Sequence, residues 1–291
     1  MSIAFNIFHL FKKTFSEFIK DNAPQMAAAL SYYALLAIPS LLLIILSMFN
    51  LFLADNQSRI TILRIVSNNV GYSGTEAIKQ IIEHLDQYSN QSSLASWVGI
   101  ITLTIASTGL VRHMQRSLNS LWGSSSERYH LLSYIIKQRL FSILFIILIG
   151  ITVFILFIAN TSLSLLSYFI AQNLGTSLFV LNLISSSISF VVLILIIAGL
   201  YKYIPDGKMA WRDIFVGAFV TAILFSLGKY LIGIYLNYTT IGSLYGAAGS
   251  VLILLVWIYY ISLIFFFGAE FTQIYANTHG QGIITADQKQ K

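Results

Sequence analysis

A lysine inside a long apolar stretch is the residue of this sequence most able to do chemistry. Four small residues share one helical stripe with Lys229, namely Ala218, Ala222, Ser226 and Gly233. Because small residues in membrane helices usually face other helices, we expect Lys229 to point into a helical bundle. An ionisable group in that position is by default the mark of a functional site.

Four polar residues of two other apolar segments are expected near this lysine. They are Asn182, Ser185 and Ser189, at helical spacing, and Asn160, which ends the preceding segment. With Lys229 they predict an outward-facing polar pocket with one fixed positive charge, suited to an anionic head group or solute. The alternative is that Lys229 extends to the membrane interface and that the serines only join helices.

A second group of charged residues is predicted on the opposite, cytoplasmic side. Glu270 ends the last apolar segment there, and three arginines belong to loops on the same side: Arg112, Arg116 and Arg212. One interpretation is a salt bridge that holds the inner ends of the helices together. The other is an inner gate that opens when this pair breaks.

The remaining ionisable residues exclude most classes of enzyme. The five histidines form no pair with metal-ligand spacing, and the cytoplasmic acids are equally scattered. A nuclease needs such residues clustered to hold metals or to relay protons. The sequence also lacks cysteines, a phosphate-binding loop and a serine hydrolase motif. We therefore predict no catalytic residue, no metal site and no cofactor.

The composition is that of a membrane protein. Hydrophobic residues make up 57% of the chain and charged residues only 10%, whereas soluble domains have about 25% charged residues. Six apolar segments are long enough to cross roughly 30 Å of hydrocarbon: Ala27–Leu53, Ala95–Val111, Leu140–Asn160, Leu178–Tyr201, Ile214–Ile234 and Ala247–Gly268. We predict an all-α fold, a polytopic transmembrane helical bundle of six spans with amphipathic interfacial helices.

The basic residues orient this bundle in the membrane. Thirteen lysines and arginines fall on the side of the two termini, and three fall on the other side: Arg59, Arg64 and Lys79. Cytoplasmic loops carry an excess of Lys and Arg. Both termini are therefore predicted to be cytoplasmic.

An amphipathic helix is predicted over residues 1–22, before the membrane domain of residues 23–271. Apolar residues recur there at helical spacing, with lysines between them: Ile7, Phe8, Phe11, Phe15, Phe18 and Ile19. The helix lies either on the membrane surface or on the protein's own cytoplasmic face, and the sequence leaves both open. Residues 272–291 are predicted to form a cytoplasmic tail.

Local signals predict where other helices begin and bend. Asn22 with Gln25 is typical of an N-cap and its reciprocal partner at the start of the first span. Pro39 within that span removes one backbone hydrogen bond, which predicts a kink. A capping box that begins at Ser73 predicts a short amphipathic helix in the external loop 54–94.

Three ordered blocks of the sequence resemble the YihY/BrkB family of bacterial inner-membrane proteins. They read DNAPQMAAALSYY from Asp21, WRD from Trp211 after a proline, and GAE from Gly268 after LVWIY. The resemblance implies six spans, cytoplasmic termini and a multi-pass location in the bacterial inner membrane. It implies no settled activity, and an old family label, ribonuclease BN, is disfavoured by the scattered acids and histidines.

Two classes of function fit these residues. The first is a transporter or lipid/amphiphile translocase without its own nucleotide site, with membrane lipids and an anionic or amphiphilic substrate as partners. The second is a non-transporting membrane scaffold in envelope assembly. A ribonuclease ranks third, and no nucleic acid is expected as a partner.

Overall fold

The computed structural model describes residues 2–50, 55–89, 108–124, 178–238, 247–280 and 282–283, which are helical apart from short turns. In chain order the helices are α1 (Ser2–Lys20), α2 (Ala23–Asn50), α3 (Asp55–Ser89), α4 (108–121), α5 (Leu178–Tyr203), α6 (Trp211–Tyr238) and α7 (Ala247–His279). The predicted all-α fold is confirmed for this part of the chain.

Three of the described helices are long and apolar enough to cross a membrane. Their span-forming stretches are Ser186–Tyr203 in α5, Trp211–Leu231 in α6 and Gly249–His279 in α7. These stretches coincide with the fourth, fifth and sixth predicted spans. The first predicted span falls largely within α2, the second is described only from residue 108 onward, and the third lies outside the described residues. The total of six spans stays a prediction.

The last helix, α7, is the centre of the packing. It contacts α1, α2, α3 and α6. One cluster of buried side chains joins it to α1, α2, α4, α5 and α6, and a second cluster joins it to α2 and α3. Because lipid tails are as apolar as these side chains, close contact and hydrogen bonds must stabilise the packing within the membrane.

Reciprocal pairs of glycine and threonine fix α6 against α7. A side chain at Gly217 would collide with Thr272, and one at Gly268 would collide with Thr221. Each threonine hydroxyl donates to the glycine carbonyl of its own helix, Thr221 to Gly217 at 2.7 Å and Thr272 to Gly268 at 2.6 Å. The two backbones therefore approach closely without leaving these buried hydroxyls unpaired. We call these four residues the glycine–threonine seam.

Two buried aromatic side chains attach the neighbouring helices to this seam. The hydroxyl of Tyr201 in α5 donates to the carbonyl of Phe265 at 2.6 Å and lies 3.2 Å from the hydroxyl of Thr221. The indole of Trp122, after α4, donates to the carbonyl of Ala269 at 3.2 Å. Each bond satisfies the polar end of a large ring that is otherwise buried among apolar atoms.

The start of α2 lies where the sequence predicts it but has a different geometry. Asn22 adopts a φ of 55°, whereas an N-cap residue has an extended backbone. Its carbonyl accepts the amides of Gln25 at 3.0 Å and Met26 at 3.2 Å, and its own amide donates to the carbonyl of Ile19 at 3.1 Å. Asn22 thus ends α1 in the left-handed region, which asparagine tolerates, and begins α2 through its backbone.

Two helices are longer than predicted. The short external helix was predicted to begin at Ser73, but α3 runs unbroken for 35 residues from Asp55 to Ser89, so the predicted start is wrong. Apolar residues of its earlier turns, such as Ile62, share a buried cluster with α2 and α7, and this packing outweighs the local start signal. In the same way α7 continues through the first part of the predicted tail to His279. Pro39 lies inside an unbroken α2, and the kink itself stays a prediction.

Candidate functional site

Helices α5 and α6 form an antiparallel pair that positions the predicted pocket. They pack against each other and are joined by a short turn, where the rings of Tyr203 and Trp211 lie 6.0 Å apart. Farther from the turn, the rings of Phe190 and Phe219 lie 5.9 Å apart. The part of α5 before Phe190 therefore runs beside the part of α6 after Phe219.

The predicted pocket residues occupy the end of this pair that is distant from the turn. Asn182, Ser185 and Ser189 belong to the first half of α5, and Lys229 belongs to the second half of α6. The side chain of Ser189 is half-buried. Asn160 lies outside the described residues. The pocket as a whole stays a prediction, but four of its five members share one end of the α5–α6 pair.

The two sides of α6 differ sharply in burial. On the stripe of Lys229, Ala218 and Ala222 are fully buried, and Lys229 itself is half-buried, as is Ser226. Next to this stripe, α6 exposes large apolar side chains: Phe215, Phe219, Ile223, Leu227 and Tyr230. Exposed apolar side chains on a span-forming helix suit contact with lipid, and the stripe of Lys229 lies at the border between this surface and the side that packs against protein.

Two hydroxyl-bearing side chains lie on or against the turn of α6 that carries Lys229. Ser226, three residues before it, donates a hydrogen bond to the carbonyl of Ala222 at 2.8 Å. The hydroxyl of Tyr260 in α7 occupies the space that a side chain at Gly228 would need. An ammonium group with hydroxyls at hand can bind a phosphate or carboxylate, since Lys donates as a compact point charge.

Glu270 of α7 lies near the other end of the bundle in a buried position. Its side chain is 1% exposed, and its Oε2 atom has no hydrogen-bond partner among the described residues. The charged side chains that act on it come from α1 and the following turn: Glu17, Lys20 and Asp21. Lys20 in turn lies 2.9 Å from the carboxylate of Glu17. The charges around Glu270 are therefore mostly acidic.

The arginines of the predicted gate lie on two other helices. Arg112 and Arg116 lie on α4, and Arg212 begins α6; the first is half-buried and the other two are exposed. None of the three is among the charges that act on Glu270 in the part of the chain that the structure describes. The charges that act on Glu270 come from α1 and the turn after it, which counting the charges of each loop could not foresee. Gating itself stays a prediction.

A polar network that the sequence analysis did not single out fixes the turn between α5 and α6. Asn119 of α4 donates to the carboxylate of Asp206 at 2.6 Å and accepts the amide of the same residue at 2.8 Å. Gln115 donates to the other carboxylate oxygen at 3.2 Å. Lys202 donates to the carbonyl of Met209 at 2.6 Å and lies over the ring of Trp211. The only signal in the sequence is Asp206 between Pro205 and Gly207, which is typical of a turn.

One of the scattered histidines has a structural position. The Nε2 atom of His113 lies 2.9 Å from the carbonyl of Met26 and 3.4 Å from the hydroxyl of Ser117. Its ring also lies 5.5 Å from that of Tyr33. No group of three or more histidines and acids that could hold a metal ion occurs within the described ranges, and the expected lack of a metal site stays a prediction.

Comparison with known proteins gives a consistent family match. The sequence matches the family described as virulence factor BrkB over residues 14–291. It is similar to a UPF0761 membrane protein of Haemophilus influenzae, 29% identical over 262 residues that cover 90% of this chain and 91% of the relative. A UPF0761 membrane protein of Aggregatibacter aphrophilus is 26% identical over 274 residues, which cover 93% of each chain. No solved structure matches this chain.

Proposed function

This chain belongs to the BrkB family of membrane proteins, and we propose that it is a transporter or translocase for an anionic amphiphile such as a phospholipid. It works without a nucleotide site of its own. We further propose that it resides in the bacterial inner membrane with both termini in the cytoplasm, which the distribution of basic residues supports.

The observation that supports transport most strongly is the position of Lys229. It is a half-buried cation on a helix long and apolar enough to cross a membrane, and it shares a stripe with the buried Ala218 and Ala222. Placing a charge there is costly, and Ala218 and Ala222 on the same stripe show that an alanine fits this side of the helix. A cation in this place, with the hydroxyls of Ser226 and Tyr260 nearby, is suited to binding an anionic head group while the acyl chains remain in lipid.

Lipid translocation can be measured with a fluorescent phospholipid. The full-length protein is reconstituted into phosphatidylcholine vesicles with a trace of NBD-labelled phosphatidylglycerol, and dithionite is added outside. Vesicles without protein lose only the fluorescence of the outer leaflet. The wild-type protein should let the inner-leaflet label become accessible as well, and Lys229→Ala should return the signal to that of protein-free vesicles.

Matched variants separate the charge from its side effects. Lys229→Arg keeps a cation and should retain most of the translocation. Lys208→Ala removes a cation from an exposed loop position and should leave the rate unchanged. If the wild-type protein behaves like protein-free vesicles, or if Lys229→Ala translocates at the wild-type rate, the proposal is wrong.

The second candidate function is a scaffold that does not transport. The glycine–threonine seam favours it, because backbones locked so closely by reciprocal contacts resist the sliding that alternating access requires. The same vesicle assay distinguishes the two candidates. A scaffold gives no translocation in the wild-type protein, whereas a transporter keeps the seam fixed and moves the helices around it.

A further inference from the structure

Helix α1 has three distinct faces, and the first of them packs against the protein. Phe11, Thr14 and Phe18 are spaced by three and four residues and share one side of the helix. The ring of Phe11 lies 5.2 Å from that of Phe271 and 6.3 Å from that of Phe267. Thr14 and Phe18 are buried. The interpretation that α1 lies on the protein's own surface therefore holds for this face.

The second face of α1 is apolar and exposed. Phe8, Phe15 and Ile19 are spaced by seven and four residues, so they lie one above another. Their side chains are 72%, 61% and 52% exposed. These three side chains are exposed, although the neighbouring face of the same helix is buried against the protein. The structure leaves this stripe without a partner within the described residues.

The third face of α1 is polar and rich in lysine. His9, Lys13, Ser16 and Lys20 follow the same helical spacing on the side away from α7, and all four are exposed. The carboxylate of Glu17 raises the pKa of Lys20 above its usual value, so this lysine stays charged in any physiological setting. Lys12 borders the apolar stripe, where its long side chain can extend to a charged surface.

Helix α1 contacts α7 at the point where the sequence predicts that the last span ends. The span predicted in α7 ends at Gly268, and the rings of Phe267 and Phe271 on either side of that point are the ones that α1 touches. A helix of 33 residues such as α7 is longer than the roughly 20 residues needed to cross the hydrocarbon core. Part of α7 is therefore expected to lie outside it, and α1 contacts α7 where the predicted span ends.

We propose that α1 is a lipid-binding platform whose apolar stripe inserts into the membrane surface and whose lysines select anionic phospholipid head groups. Protein, lipid and water each meet one of its three faces. The stripe Phe8, Phe15 and Ile19 enters the boundary between head groups and acyl chains. Lys12 borders the stripe and Lys13 lies on the neighbouring polar face, and both face the phosphates in an arrangement complementary in charge to an anionic leaflet. This proposal about α1 does not depend on whether the chain transports a substrate.

Spin labels can locate each face, because the chain contains no cysteine. Single variants Phe15→Cys and Ser16→Cys of the full-length protein carry a nitroxide in nanodiscs of phosphatidylcholine and phosphatidylglycerol. The label at position 15 should be relaxed mainly by oxygen, which concentrates in lipid, and the label at position 16 mainly by a water-soluble nickel chelate. Equal exposure of both labels to nickel would overturn insertion. A label at position 15 that neither reagent reaches would show that protein covers the stripe, such as a second copy of the chain.

Head-group selection has its own test. Spin-labelled phosphatidylglycerol and phosphatidylcholine are compared for association with the wild-type protein and with a variant that combines Lys12→Gln and Lys13→Gln. The preference for phosphatidylglycerol should fall by up to about fivefold for each lysine removed. Lys79→Gln, which removes an exposed lysine of α3, should leave it unchanged. An unaltered preference in the double variant would contradict the role of the lysines.

Discussion

The two halves of α6 have opposite properties. In its first half Ile214, Ala218 and Ala222 belong to the main buried cluster, and Gly217 and Thr221 interlock with α7. In the described stretch 223–231 no apolar side chain of α6 is buried, and the polar Ser226 and Lys229 are half-buried. One half is closely packed with its polar atoms satisfied, and the other carries a charge among half-buried and exposed side chains.

This contrast separates the part of the helix that carries the fold from the part that can carry function. Close contacts and internal hydrogen bonds are what stabilise helices against each other in a bilayer. Intramembrane charges, by contrast, cost stability and are kept where they bind or relay something. Substitutions in the first half should therefore change stability, and substitutions in the second half should change activity.

The largest loss of stability is expected when a substitution adds a methyl group within the glycine–threonine seam. Gly268→Ala places a Cβ atom against Thr221 and Tyr201, and overpacking of this kind costs about 1–3 kcal/mol. Gly199→Ala is the matched control, because its Cβ atom would have nothing within 4 Å. Alanine there should be neutral or raise the stability by up to ~1 kcal/mol through its helix propensity.

The two alanine variants should thus shift the thermal unfolding midpoint in opposite directions. The midpoint is measured in detergent by size-exclusion chromatography of heated samples. Equal midpoints for Gly268→Ala and Gly199→Ala would mean that the seam does not hold α6 against α7.

A smaller loss of stability is expected when the turn between α5 and α6 loses its anchor. Asn119→Ala removes the hydrogen bonds at 2.6 Å and 2.8 Å to Asp206, and the free energy of unfolding should fall by about 1–2 kcal/mol. Ser120→Ala changes the exposed neighbour on the same helix and should have no effect. A midpoint for Asn119→Ala equal to that of Ser120→Ala would show that the network contributes nothing.

Glu270→Gln should change stability by less than about 1 kcal/mol, because Oε2 makes no hydrogen bond that the amide would lose. A salt bridge to the arginines of the predicted gate would give a different result, since breaking a buried pair costs about 3–5 kcal/mol. A loss of that size in the thermal midpoint would restore the salt-bridge interpretation.

The smallest effect on stability is expected for Lys229→Ala. The contacts that Lys229 loses are offset by the removal of a costly intramembrane charge, and the free energy of unfolding should change by less than about 0.5 kcal/mol. A folded variant that no longer translocates lipid would assign the lysine to function. A large drop in the midpoint would instead assign Lys229 to the fold and remove the contrast between the two halves.

Periodic and compositional signals in the sequence predict the long helices well. The fourth, fifth and sixth predicted spans fall within α5, α6 and α7 because uninterrupted apolar residues have no alternative structure in a bilayer. The start of α3 is missed because a capping box at Ser73 is a local signal, and packing against α2 and α7 outweighs it. The stripe of Lys229 is visible in the sequence because helical spacing alone defines it.

The partners of polar residues are less predictable than the helices. The sequence analysis places Glu270 with arginines because all of these residues are predicted on the same side of the membrane. The arrangement of the helices decides which of the many charged residues on that side lie close together. The same holds for Asn119 and Asp206, 87 residues apart in the chain, which no spacing rule connects. Only the three-dimensional packing brings such pairs together.

Reactivity of introduced cysteines tests most directly whether the second half of α6 lines a water-filled pocket. Ser226→Cys and Ala218→Cys are made in the cysteine-free chain and exposed in nanodiscs to membrane-impermeant thiosulfonates of either charge. We expect Ser226→Cys to react, and faster with the negatively charged reagent because Lys229 attracts it, while Ala218→Cys stays unmodified. A Ser226→Cys variant as unreactive as Ala218→Cys would contradict the account, because no polar pocket would then reach the lysine.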